Sequence, residues 1–219
     1  MACLNSLFES LVHAGDRSSS VSFLMRVLLV YCHPCPDSFA SALCEAAIKA
    51  LSSRGHDVEV RRLYAEEFDP ALNDEARRRY YDESFQDEVV ADHIASLQRA
   101  EALIFIYPTW WFGPPAMLKG WFDRVWLPGV AFRLGGSKVL QPMLTHIERI
   151  TVITTYGSPR WLLWMMGWPD WRIFKQGIGK LCAPRCRLDW IALTNMDSNS
   201  ARDRERFIDL VRRRLSNWK

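Results

Sequence analysis

Ala102-Leu-Ile-Phe-Ile-Tyr107, running directly into Pro108-Thr-Trp-Trp-Phe-Gly-Pro-Pro115, decides the fold. The first half carries no charge and reads as a strand buried on both faces of a parallel sheet. The second half stops that strand with proline and sets three consecutive aromatics beside Gly113, before a helix runs from Pro115 to about Trp126. The same unit of apolar strand, loop and helix recurs on either side. Upstream, Val27 to Cys32 is a near-continuous apolar run broken by Pro34 and Pro36. Asp37-Ser38 then caps a helix in which Phe39, Leu43, Ala47 and Leu51 recur at helical spacing up to Gly55. Asp57 to Leu63 reads as a second strand, and Asp87 to Ala100 as a helix. Downstream, Ile150-Thr-Val-Ile-Thr154 and Leu188 to Leu193 are the fourth and fifth strands, and a last helix places Phe207, Val211, Leu215 and Trp218 on one face.

Alternating strands and helices imply an α/β fold with helices on both faces of a parallel sheet, because right-handed crossovers allow little else. Five strands suit the flavodoxin-like three-layer αβα sandwich of order 2-1-3-4-5, whose ligand crevice lies beyond the carboxyl ends of strands one, three and four. Two stretches stand outside the pattern: residues 64–88, polar with one short helix near Glu75 to Tyr81, and residues 127–148, irregular. Residues 25–219 form a single domain. Residues 1–24 read as an N-terminal extension with a polar linker, Ala14-Gly-Asp-Arg-Ser-Ser-Ser20, and Met25 directly before the first strand is an alternative translation start.

Hydrophobic content of 49% and charged content of 24% are those of an ordinary globular protein. A formal charge of +3 is too small to imply nucleic acid, and the basic run from Arg202 to Arg214 is interleaved with acids as on a solvated helix face. No apolar stretch reaches the roughly 18 residues of a membrane span. The first 24 residues lack the basic start and apolar run of a signal peptide, and Glu9 and Asp16 argue against a transit peptide. Six scattered cysteines then fit reduced thiols and a cytoplasmic location.

The three loops at the crevice are His33–Asp37, Pro108–Pro114 and Thr154–Pro159. The first ends on a helix N-terminus, where free amides and the dipole attract an anion, Ser38 adds a hydroxyl and His33 a donor; a proline-shaped helix cap explains it equally. In the second, Trp110, Trp111 and Phe112 stand at the mouth of the sheet, Gly113 permits close backbone approach to a flat ligand, and the prolines stiffen the loop. The alternative is an aromatic cover over the sheet end. Thr154-Thr-Tyr-Gly-Ser158 brings hydroxyls to the same edge, suiting the pyrimidine end of a flavin or a simple turn. Neither GxGxxG nor a P-loop lysine motif occurs, which disfavours dinucleotide and nucleoside triphosphate sites of those kinds.

Taken in order, His33-Pro-x-x-x-Ser-Phe39, Tyr107-Pro-Thr-Trp-Trp-Phe-Gly-Pro-Pro-Ala-Met-Leu-Lys-Gly-Trp-Phe-Asp-Arg124 and Thr154-Thr-Tyr-Gly-Ser158 resemble the NAD(P)H:quinone oxidoreductase (DT-diaphorase) family, its short bacterial members above all. The resemblance runs from Met25 to about Leu215. It implies a homodimeric flavoprotein that holds FAD, or FMN as in some relatives, and passes two electrons from NAD(P)H to a quinone-type acceptor. It implies that His33, Asp37, Ser38, Phe39 and Ala40 hold the flavin phosphates and ribityl chain. Pro108, Thr109, Trp110, Trp111 and Phe112 would line the ring, and Thr154, Thr155, Gly157 and Ser158 its other edge. Trp111, Phe112 and Tyr156 are the candidate catalytic residues, and Gly129-Val-Ala-Phe132 falls where relatives reach into the partner subunit's site. Two departures stand out: Trp161 to Trp168 has neither the Tyr nor the His of mammalian relatives, and Tyr156 replaces a glycine.

Rival readings remain. Cys32-His-Pro-Cys35, after a strand and before a helix, also has the form of a thiol–disulfide oxidoreductase motif. A zinc set of Cys32, Cys35, Cys182 and Cys186 is opposed by topology, since the pairs fall at opposite sheet edges, about 17–20 Å apart for one strand length. Trp161, Trp164, Trp168 and Trp171, with Met165 and Met166, read as a subunit interface or as the roof of an apolar pocket. Lys119 and Arg124 pair with acids in the fold, or Arg124 meets an NADPH phosphate. A regulatory flavoprotein of a potassium-efflux system would carry the same residues.

Overall fold

Among the described residues seven strands follow one another: β1 (Arg26–Tyr31), β2 (Asp57–Arg62), β3 (Ala102–Pro108), β4 (Phe132–Leu134), β5 (Leu140–Pro142), β6 (Arg149–Thr155) and β7 (Arg187–Leu193). The computed structural model describes residues 24–82, 87–135 and 140–218. The extension and alternative start at Met25 therefore lie almost wholly outside the described residues. Five strands pair in parallel in the order β2-β1-β3-β6-β7, which is the expected 2-1-3-4-5 arrangement counted over the sheet strands alone. The irregular stretch after residue 127 contributes the other two, β4 and β5, as a short antiparallel pair.

The helices are α1 (Phe39–Ser52), α2 (Asp74–Arg78), α3 (Ala91–Arg99), α4 (Ala116–Val125), α5 (Arg160–Met165), α6 (Pro169–Arg172) and α7 (Ala201–Ser216). Strand alternation divides the core. Leu28, Val30, Cys32, Phe105 and Tyr107 point to the side of Leu97, Trp121 and Phe122. Val27, Leu29, Tyr31, Ile104 and Ile106 point to the side of α1 and α7, where Phe207, Val211, Leu215 and Trp218 are all buried as their spacing requires. The α3 helix starts later than its pattern suggests, because Asp87 takes the Val89 amide at 3.1 Å and folds a turn ahead of it.

Arg124 ties the polar excursion to the sheet. Its guanidinium donates to the Asp69 carbonyl and to Asp87 Oδ2, both at 2.7 Å, and it is almost fully buried. Lys119 pairs with Asp123 one turn along α4. Both cations thus have acids of this chain as partners. Gly120 is needed for close approach: a Cβ there would lie 2.2 Å from the Pro70 carbonyl oxygen. Among the described residues no helix is long and apolar enough to cross a membrane.

Candidate active site

The registers Tyr107↔Thr154 and Pro108↔Thr155 bring the ends of β3 and β6 level, and the Thr109 N–H donates to the Thr155 carbonyl at 2.8 Å. The loops after these strands, with the turn after β7, enclose a cleft of about 430 Å³ lined by Pro108, Thr109, Trp110, Thr155, Gly157, Ser158, Met196 and Asp197. Six of the expected site residues thus share one cavity. Gly157 sits close to its far wall, where a Cβ would be 3.0 Å from Asp197 Oδ2.

Beside it, the β1–α1 loop reaches the same sheet edge. Ser38 caps α1, its hydroxyl accepting the Ser41 N–H at 3.2 Å and lying 3.2 Å from Tyr31 Oη. The first amides of a helix have no acceptor within it, so those of Phe39 and Ala40 remain free for an anion. His33 Nδ1 lies 3.0 Å from the Cys35 amide nitrogen, whose N–H it accepts in the Nε2–H tautomer, and 3.2 Å from the Cys35 carbonyl oxygen, and the imidazole stands 6.3 Å from the Trp110 ring. Asp37 is exposed on the turn entering α1.

The aromatic loop is a tight turn. Trp110 and Gly113 exchange backbone hydrogen bonds at 3.0 and 3.1 Å, and the two residues between them are left-handed, Trp111 at φ 50° and Phe112 at φ 61°. Two-residue turns of this hand favour Asn-Gly, and each bulky side chain in them costs about 1–2 kcal/mol. Gly113 itself has open space around its Cα. The conformational freedom expected of the glycine is thus demanded of its aromatic neighbours. Trp111 is 98% exposed and Phe112 partly so.

Tyr156 lies elsewhere. It is 2% exposed, and its hydroxyl donates to the Asp170 carboxylate, 2.8 Å from each oxygen. Asp170 also accepts from the Thr109 hydroxyl at 2.9 Å and from the Trp171 N–H at 2.9 Å, while Thr109 Oγ1 lies 2.8 Å from Thr154 Oγ1. Tyr156 therefore turns away from the surface that Trp111 and Phe112 form. Burial raises the Asp170 carboxyl above its ordinary value despite these donors, and burial with the adjoining carboxylate raises the Tyr156 phenol. Tyr107, fully enclosed nearby, is pushed well up by burial.

Asp170, Met196 and Asp197 were not legible as site residues in the sequence; Met196 and Asp197 reach the cleft from the turn after β7, and Asp170 stands behind its wall, bonded to Thr109. Arg204 is another. Its Nε is buried without a partner among the described residues, one helical turn before Phe207, whose ring packs 6.3 Å from that of Phe39. The thiol reading meets the opposite of what it needs: burial pushes Cys32 up to about 12, whereas a redox-active thiol is held low. A second groove of about 330 Å³, lined by Tyr80, Ala91, Arg124, Gly129 and Val130 among others, contains none of the residues expected to hold the flavin.

Residues 25–171 match the model of a protein family described as having a flavodoxin-like fold. NAD(P)H dehydrogenase (quinone) 1 of Cavia porcellus is 35% identical over 151 residues, which cover 62% of this chain and 54% of that protein. Ribosyldihydronicotinamide dehydrogenase (quinone) of Pongo abelii is 34% identical over 167 residues, covering 64% of this chain and 72% of that one. The solved NAD(P)H:quinone oxidoreductase from Methanothermobacter marburgensis superposes with a TM-score of 0.77 at 30% identity, covering 89% of this chain and 96% of that one. The chain thus spans a little over half the length of the Cavia porcellus protein and nearly all of the archaeal one.

Proposed function

Because the chain belongs to the flavodoxin-like NAD(P)H:quinone oxidoreductase family, we propose that it binds a flavin at the β1–β3–β6 edge and reduces a quinone-type acceptor with NAD(P)H. The observation that carries this reading is the Trp110–Gly113 turn. Two aromatic residues are held left-handed, one almost wholly in solvent, beside a cleft large enough for a planar ring. Strain of that kind persists where it serves a ligand or a reacting surface.

The residues present fit a flavin. The free amides of Phe39 and Ala40, the Ser38 hydroxyl and His33 Nε2–H form the anion seat, with Asp37 shaping the entry to α1. Pro108, Thr109 and Trp110 line one side of the ring, and Thr155, Gly157 and Ser158 the other. Thr154, being buried, acts through its bond to Thr109. Trp111 and Phe112 supply the apolar face against which nicotinamide and then quinone stack, and exclude water there. When bound, the flavin supplies the chemistry itself, accepting a hydride from the nicotinamide and returning two electrons to the acceptor. Arg204 beside the α1 N-terminus favours FAD over FMN, since a diphosphate gains from a second cationic partner. The exposed aromatics support a homodimer, with Gly129 to Phe132 reaching toward the partner, and the absence of an apolar membrane-length helix among the described residues accords with a cytoplasmic location.

The test is the absorption spectrum of the purified protein, with any released cofactor identified by mass. Flavin bands that NAD(P)H bleaches and a quinone restores are the expected result. A protein that stays colourless and takes up neither FAD nor FMN overturns the reading.

A further inference from the structure

Among the described residues Asp170 has no counter-charge. It is fully buried, and its neighbours among the described residues are neutral donors. Tyr156 faces it from the end of β6, Thr109 from the loop after β3, and the Trp171 amide from its own helix. The Tyr107 phenol, on β3, lies beside Asp170 with its buried hydroxyl lacking a hydrogen-bond partner among the described residues, and the Trp190 indole, on β7, faces Tyr156. Cys32, just after β1, lies near enough to Tyr107 to interact with it. A carboxylate sealed in this way is expensive to keep, and such groups concentrate where a site needs their charge.

Proton accounting gives the cluster a direction. The Thr109 hydroxyl carries one proton, and with Asp170 ionised that proton goes to the carboxylate. The 2.8 Å bond between Thr109 and Thr154 must then be donated by Thr154. The chain reads Thr154 to Thr109 to Asp170, with Tyr156 donating from the other side. Thr109 lies in the wall of the cleft, and its amide fixes the spacing of the two walls through Thr155. A proton on Asp170 Oδ2, directed at Thr109 Oγ1, would be a donor where an acceptor stood, and the Thr109 and Thr154 hydroxyls would then turn.

We propose that Asp170 is a positioning residue whose buried carboxylate orders the Thr154–Thr109 chain and sets a negative charge one hydrogen bond behind the cleft wall at Thr109, lowering the reduction potential of a flavin bound there. This rests on the flavin reading above. A fixed negative charge opposes the arrival of electrons, and it acts most strongly where water is excluded.

The experiment compares wild type with Asp170→Asn and Tyr156→Phe, each loaded with FAD, by flavin fluorescence titration and by dye-equilibrated midpoint potentials across a range of pH. Asp170→Asn is expected to raise the potential about tenfold in the two-electron equilibrium, or about 30 mV. Wild type should show a break in potential against pH that Asp170→Asn lacks. Tyr156→Phe removes one donor from the carboxylate, so its break should move to higher pH, and this variant carries the test if Asp170→Asn fails to fold. Wild-type potentials retained in Asp170→Asn, or a break unmoved in Tyr156→Phe, overturn the proposal while wild type still binds flavin. A wild type that binds neither FAD nor FMN defeats the flavin reading as well, so the two failures are distinguishable.

Discussion

Trp111 gains almost nothing from burial, yet its backbone is held in a conformation that disfavours a large side chain. Asn tolerates that conformation. Trp111→Asn should therefore leave the fold as stable as before or up to about 1 kcal/mol more stable in urea titration, while kcat/KM for NAD(P)H falls at least tenfold. Loss of stability with unchanged turnover would put the residue in the scaffold. At His93 the effect is on pH dependence. Burial holds this imidazole below its ordinary value of 6.5 against the raising pull of Glu66, and Trp121 Nε1–H donates to its Nδ1 at 3.3 Å, a bond that needs an unprotonated nitrogen. His56 is lowered in the same direction, chiefly by burial. Below pH 6.5 the unfolded chain takes up protons that the native one resists. Stability is thus full above 6.5 and is lost as pH falls toward the lowered native values. His93→Gln should remove part of that acid sensitivity in urea midpoints measured from about pH 7 to pH 5; slopes equal to wild type would refute the assignment. Single residues were unevenly legible. Tryptophan beside tryptophan beside glycine announces an unusual loop, but backbone hand is not written in composition. Asp170 meets Thr109 across 61 positions, and nothing local marks that contact.

At the scale of elements, the α1 N-terminus joins packing to chemistry. Ser38 satisfies the Ser41 amide and touches Tyr31 Oη, while the Phe39 and Ala40 amides after it have no acceptor within the helix. Ser38→Ala should cost about 1 kcal/mol of stability as a lost cap and, if the anion seat is as proposed, weaken FAD binding by a larger factor than that of riboflavin, which has no phosphate. Equal weakening of both ligands would make Ser38 a cap and nothing more. The sheet strands were readable because each is buried on both faces and must be apolar throughout, as β3 is over Ala102–Pro108. Capped helices were readable for a related reason, α1 beginning one residue after Ser38. From Trp161 to Leu181 the reading failed. Short helical turns there follow one another with no repeat, Trp168 is left-handed, and Phe174 is drawn inward to stack on Tyr107 by contacts that only the fold creates.

The whole molecule leaves an unusual amount of apolar surface in solvent for a single chain: Trp111, Trp161, Trp164 and Met165 together with Leu134, Leu140 and Ile173. A hollow of about 550 Å³ between Phe122, Trp126, Leu140 and Ile173 adds an apolar socket to that surface. A stable interface needs about 800 Å² from each partner, and three tryptophans with their neighbours approach that, at about 150–250 Å² for each aromatic. Scattered apolar residues would need no explanation, but a concentration that includes the mouth of the cleft calls for a partner. If the dimer covers Trp111 as well as α5, catalysis and association become inseparable. Trp164 is 77% exposed and contributes little to the stability of the lone chain, so Trp164→Glu should leave the fold intact. In a dimer that glutamate would be buried without a cation, and sedimentation velocity at micromolar concentration should register a shift toward monomer. Quinone reductase activity should then fall with dilution more steeply in the variant than in wild type. A wild-type chain that sediments as a monomer at every concentration would remove the dimer and leave the tryptophans exposed for another partner. A variant that stays dimeric with full activity would move the interface away from α5.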